Sequence, residues 1–162
     1  MTAALCPSCG WDSSTGTDGI EPPFPASPTC YSAYLKLSAY NAERARWDFP
    51  HQQAVDAYAA QHPGPPAKPI SVWFALVGLH LPSIKGEPVG KCSGHTCNSG
   101  DTSKPGRPLR PPADLRCTTA GDVIRHSPGH DDAAILRWAG DVWSLWTDSY
   151  DLIAELCINR GL

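Results

Sequence analysis

The stretch DFPHQQAVDAYAAQHPG, Asp48 to Gly64, decides the fold. Asp48 has the side chain of a helix N-cap, and Pro50 fits a first turn, where a missing N–H costs nothing. Pro63 and Gly64 end the helix. Between them Ala54, Val55, Tyr58 and Ala59 recur at helical spacing. The segment carries a histidine at each end, His51 and His62, with Asp56 and Tyr58 between them.

Upstream, the residues from Cys30 to about Trp47 predict a helix after the stop at Pro28, with Tyr31, Tyr34, Leu35, Ser38 and Ala42 as its core stripe. Downstream, Lys68 to Leu81 is the most apolar part of the chain and predicts a third helix. Its buried face is expected to hold Ile70, Trp73, Phe74, Val77 and Leu81. Thr118 or Thr119 can cap a short helix to His126. Asp131 or Asp132 starts a last one that presents Ile135, Trp138, Val142 and Trp146 on one face and continues, bent, to Asn159. No strand pattern competes, apart from a small hairpin around the first cysteines.

The expected fold class is therefore mainly α: a small bundle of four main helices and a short one. Residues 1–162 read as a single domain. Residues 1–29 form an irregular cysteine-bearing arm, 83–117 a long Pro/Gly-rich loop and 118–162 the C-terminal helices. The 17 prolines and 14 glycines of the 162 residues are concentrated enough to demand such irregular stretches. The loop holds Lys85, Lys91, Lys104, Arg107, Arg110 and Arg116, together with Cys92, His95 and Cys97.

A net charge of -3 provides no global field to draw in nucleic acid or an anionic membrane. The first residues lack the basic and apolar regions of a signal peptide, and nowhere do about 18 apolar residues run together. The expectation is a soluble, cytoplasmic protein with no membrane partner. In that compartment seven cysteines, an odd number, read as metal ligands or reduced thiols rather than as a disulfide framework.

Cys6-Pro7-Ser8-Cys9-Gly10 is a knuckle whose two thiolates, two residues apart, can share one tetrahedral Zn2+. Cys30, at the mouth of the first helix, is the nearest further thiol, and the fourth ligand should be a histidine. His51 and His62 are eleven positions apart, or about 16 Å along a helix axis, so they cannot serve one ion together. An antiparallel hairpin of the first two helices brings His62 toward Cys30. The expected metal ligands are Cys6, Cys9, Cys30 and His62, with His51 as the alternative fourth. Reduced thiols or a redox pair are the competing reading.

A second grouping is His80, brought near His51 by an antiparallel third helix, with Cys92, His95 and Cys97 following on the loop. It could form an open metal site or an acid–base pair, against the commoner hydrogen-bonded core histidine. Asp56 falls on another face from His51 and Tyr58 and is either solvated or set against a neighbouring helix. Tyr58 reads as core with its hydroxyl satisfied, or as a proton donor. His51, Asp56, Tyr58 and His80 are the candidate catalytic residues. No phosphate-cradling glycine loop, nucleophile elbow or His-Glu-x-x-His pair is present.

Cys6-Pro-Ser-Cys-Gly10, Ser27-Pro-Thr-Cys30, His51, Val55-Asp-Ala-Tyr58, Gln61-His-Pro-Gly64, Arg137-Trp-Ala139, Val142-Trp143 and Trp146 together form a pattern spanning most of the chain. It resembles an uncharacterised bacterial family of small domains of unknown function. The resemblance implies a family pattern that contains the three N-terminal cysteines, both helix histidines and the tryptophan-rich last helix. The Cys92 to Cys97 loop departs from it. No activity comes with the resemblance.

Three functions compete. The first is a zinc-stabilised helical module binding a protein or small-molecule partner. The second is a small hydrolytic or group-transfer metalloenzyme acting beside His51, Tyr58 or His62. The third, nucleic-acid binding through the knuckle and the basic loop, lacks an aromatic or helical reading surface.

Overall fold

The computed structural model describes residues 5–12, 20–43, 49–85, 108–126 and 131–159, with only the backbone at 49 and 83–85. The expected cap Asp48, the stretch 44–47 and the Cys92, His95 and Cys97 grouping lie outside the described residues. The elements are α1 (Pro28–Glu43), α2 (Phe49–Gln61), α3 (Pro69–Lys85), α4 (Ala120–His126), α5 (Asp132–Leu145) and α6 (Tyr150–Asn159). Among the described residues there is no strand, only one isolated antiparallel bridge between Leu5 and Asp12 where a small hairpin is expected. No described helix is long and apolar enough to cross a membrane.

The helix starts follow local chemistry. Ser27 caps α1, its Oγ accepting the Cys30 N–H at 3.2 Å, so Pro28 opens the helix at N1. Thr119 caps α4 reciprocally with Asp122: the Asp122 N–H meets the threonine Oγ1 at 3.2 Å, and the carboxylate accepts the Thr119 N–H at 3.0 Å. Asp131 caps α5 by accepting the Ala133 N–H at 2.9 Å. The last expected helix divides at Trp146. A 3-10 turn over Thr147–Ser149 bends the chain into α6, and Tyr150 folds back to stack on Trp143 at 4.4 Å.

Helix α2 is the centre. It packs against α3 on one side and α5 on another, and α1 lies mainly against α4. Ala54, Ala57, Ala59 and Ala60 are buried around its circumference. Such small side chains let neighbouring helices approach it closely, and the polar residues buried with them, Gln53, Asp56 and Gln61, are drawn into the interior by that packing.

Two helix faces differ from expectation. On α1 the buried stripe is Cys30, Ala33, Leu37 and Asn41, with Tyr31 and Tyr34 on its flank. On α3, Val72, Trp73, Ala75, Leu76, Val77, Leu79 and Leu81 are buried, whereas Ile70 and Phe74 are 42 % and 49 % exposed. So many apolar residues on α3 satisfy more than one face, and α2 and α5 select which. The α5 face of Ile135, Trp138, Val142 and Trp146 is buried as expected.

Candidate metal centre

The arm brings two thiols in by a tight turn. The Cys6 N–H donates to the Trp11 carbonyl at 3.0 Å and the Gly10 N–H to the Cys6 carbonyl at 2.9 Å. Gly10 has φ +70°, a conformation that calls for glycine, and the exposed Arg116 side chain lies over it. Trp11 then lies flat on α4. A Cβ at Gly121 would be 2.0 Å from its ring, and the Arg125 guanidinium sits 5.8 Å from the ring centroid. Ser8 Oγ donates to the Pro25 carbonyl at 2.5 Å, tying the turn to the chain that enters α1.

The capped start of α1 fixes Cys30, and the end of α2 supplies His62. The ligand atoms of Cys6, Cys9, Cys30 and His62 all lie within 4.8 Å of one another, and the four residues are at most 2 % exposed. Cys9 Sγ is 3.7 Å from Cys30 Sγ, and His62 Nε2 is 3.6 Å from Cys6 Sγ and 3.5 Å from Cys30 Sγ. None of the described cysteines is in a disulfide. This cluster could hold a metal ion.

Its surroundings suit that task. His62 Nδ1–H donates to the Tyr58 carbonyl at 2.8 Å, which leaves the Nε2 lone pair facing the three sulfurs. Tyr58 is fully buried and its hydroxyl donates to Cys30 Sγ at 3.8 Å. Burial and the Cys30 sulfur push that phenol well above its ordinary range, so it stays a donor. With protons alone to balance them, the three thiols cannot all ionise. Hydrogen bonds from Cys30 and Cys9 lower Cys6, the Cys30 contact raises Cys9, and the Cys6 contact raises Cys30 to about 12. A divalent cation reverses this competition by accepting all three thiolates at once.

The end of α2 is held by a residue that sequence reasoning treated only as part of a pattern. Gln61 is completely buried. Its Nε2 donates to the carbonyls of Leu115 at 3.2 Å and Thr118 at 3.0 Å and meets Cys117 Sγ at 3.2 Å, while its Oε1 accepts the Trp138 indole N–H at 3.1 Å. The Trp146 indole N–H donates to the Ala60 carbonyl at 3.2 Å, satisfying a group the helix end leaves open. The available signal was an amide set between the pair Ala59-Ala60 and His62.

The other candidates stand apart from this centre. His51 is on the opening turn of α2, half-buried and outside the cluster, so the alternative fourth ligand is not the one gathered. Asp56 is buried against α3: its Oδ1 accepts from Gln52 at 2.9 Å, its Oδ2 has no hydrogen-bond partner among the described residues, and a Cβ on Gly78 would come within 2.0 Å of that oxygen. Burial raises its pKa to about 7. His80 is buried beside Trp143 at 5.3 Å, its Nε2 lacks a partner, and burial lowers its pKa.

A search of curated proteins finds no match, and a search of solved structures finds none either. A family model described as Family of unknown function (DUF5946) matches residues 4–147, a span that holds the knuckle, Cys30, His62, Gln61 and all of α1 to α5. The chain belongs to that family.

Proposed function

We propose that this chain is a zinc-stabilised helical module, which offers a stable surface to a protein or small-molecule partner, and that its metal is structural. The observation that carries the reading is the convergence of three thiols and one imidazole nitrogen from three separate parts of the chain. For zinc with bonds of about 2.3 Å to sulfur and about 2.05 Å to nitrogen, a tetrahedron has edges of roughly 3.8 Å between sulfurs and 3.5 Å between sulfur and nitrogen. The separations of 3.7, 3.6 and 3.5 Å support that geometry. Soft thiolates with one imidazole favour zinc over the hard, oxygen-seeking cations.

Four protein ligands, all buried, leave no position for a metal-bound water, which argues for a structural ion over a hydrolytic one. The role follows from the arm, whose described residues form no helix or strand and are held to the core by Trp11, Phe24 and the cysteines that ligation would fix. A reducing compartment keeps thiols free for ligation, and the cytoplasm is the setting that suits this reading.

The test is the metal content of the purified protein and the absorption of its cobalt form. We expect about one zinc per chain. Sulfur-to-cobalt charge transfer should weaken in Cys30→Ser, ligand-field bands should change in His62→Ala, and His51→Ala should leave both alone. A protein that neither retains zinc nor takes up cobalt would end this reading.

A further inference from the structure

Tyr58 joins two of the four ligands. Its carbonyl accepts the His62 Nδ1–H at 2.8 Å, its ring stacks on the imidazole with centroids 4.1 Å apart, and its hydroxyl reaches Cys30 Sγ at 3.8 Å. Tyr34 also stacks on the ring at 4.1 Å, and two rings at that distance cannot share a face, so Tyr58 is clamped between tyrosine and histidine. Phe24 meets it edge-on at 5.3 Å. The hydroxyl is thus aimed by packing and does not swing.

A phenylalanine would fill the same stack without the cost of desolvating an O–H in a fully buried place. Donation to a neutral thiol offsets that cost poorly, whereas donation to a thiolate is charge-assisted. The Cys6 sulfur receives the backbone N–H of Cys9. A tetrahedral zinc with three thiolates carries a net negative charge, and each donor directed at a sulfur lowers the cost of burying it.

We infer that Tyr58 is a positioning residue of the metal centre: its side-chain hydroxyl withdraws charge from the Cys30 thiolate and so sets metal affinity and sulfur donor strength, while its backbone carbonyl orients His62. This rests on the zinc reading above.

The test compares Tyr58→Phe, Tyr34→Phe and the unaltered protein, each loaded with zinc for chelator competition and with cobalt for absorption. Tyr58→Phe should keep the helical circular dichroism and bind one metal ion, but bind zinc about 10-fold more weakly and shift the sulfur-to-cobalt charge-transfer band. Tyr34→Phe, which alters the same stack without touching sulfur, should do neither. Fluorotyrosine at position 58, a stronger donor, should shift the band the opposite way, and it serves as the deciding measurement if Tyr58→Phe does not fold. Metal binding with the band unmoved in these variants would overturn the inference and leave the zinc reading intact. Failure of the unaltered protein to bind either metal would remove both.

Discussion

The two lengths of α2 handle buried polar groups in opposite ways. From Tyr58 to His62 the Tyr58 hydroxyl, the Gln61 amide and the His62 ring nitrogens all have partners, and the Ala60 carbonyl takes an indole N–H. One turn earlier, Asp56 is pressed against Gly78 with one oxygen unpartnered, and across the helix pair His80 is buried with an unpartnered Nε2. Asp56 and His80 are buried like the groups of the first length, whereas His51 and Gln52 on the opening turn are half-buried. The first pairs its groups and collects three sulfurs that a cation can neutralise, while the second shifts its titrations toward the uncharged forms. A buried polar group is therefore informative through its partners, and among the described residues it is the end with converging partners that gathers a cluster able to hold a metal ion.

The largest effect should come from removing a ligand at the paired end. His62→Ala should lose the tightly bound zinc and lower the thermal midpoint by on the order of 10 °C or more, since structural zinc supplies folding free energy directly. His51→Ala should lose neither. Differential scanning fluorimetry with and without chelator checks both, and equal effects at the two histidines would break the comparison.

Gln61→Leu should be next, at about 3 kcal/mol in urea unfolding, because it strands the Leu115 and Thr118 carbonyls and the Trp138 indole N–H inside the protein. A cost near zero would mean that the amide network does not hold the end of α2.

Asp56→Asn probes the unpartnered length and should have the opposite sign. Folding raises this carboxyl from 3.8 to about 7, so the folded state holds its proton more tightly. Its favourable contribution is complete below the unfolded value and is lost as pH rises through the folded one. The substituted amide cannot ionise, so the variant should gain on the order of 2 kcal/mol over the unaltered protein at pH 8. At pH 4 it should gain little. Taking the difference between the two proteins at each pH cancels the zinc centre's own dependence on protons. A gain that does not grow between pH 4 and pH 8 would show that Asp56 is not held neutral.

Gly121→Ala is the smallest, at about 1–2 kcal/mol, because its methyl group must displace Trp11 from α4. Zinc should also bind more weakly, since that ring anchors the knuckle. Unchanged affinity in chelator competition would uncouple the arm's docking from the metal centre.

Much of this was legible from local chemistry. Pro63-Gly64, the Thr119 and Asp131 caps and the period of the last helix mark where elements begin and end, whereas Pro28, read as a stop before a helix from Cys30, in fact opens α1 behind the Ser27 cap. The Cys6-x-x-Cys9 spacing, the axial separation of the histidines and hairpin logic together single out the four residues that the fold brings together. The face of α3 was not legible, because nearly every residue from Ile70 to Leu81 is apolar and periodicity has nothing to distinguish. The α1 stripe was misplaced because its tyrosines carry more apolar area than Ala33 and Asn41, although smaller residues fit the tighter contact.

Spacing along the chain determined the helices and the identity of the ligand set, because caps, turns and an axial rise of about 1.5 Å per residue are properties of neighbours in sequence. Only the tertiary structure decided that Asp56 is enclosed with no cation beside it among the described residues, that Gln61 clamps three segments and that the Tyr58 hydroxyl meets the Cys30 sulfur. Each of those facts depends on which distant groups share a dry space, and burial is set by packing from elsewhere in the chain.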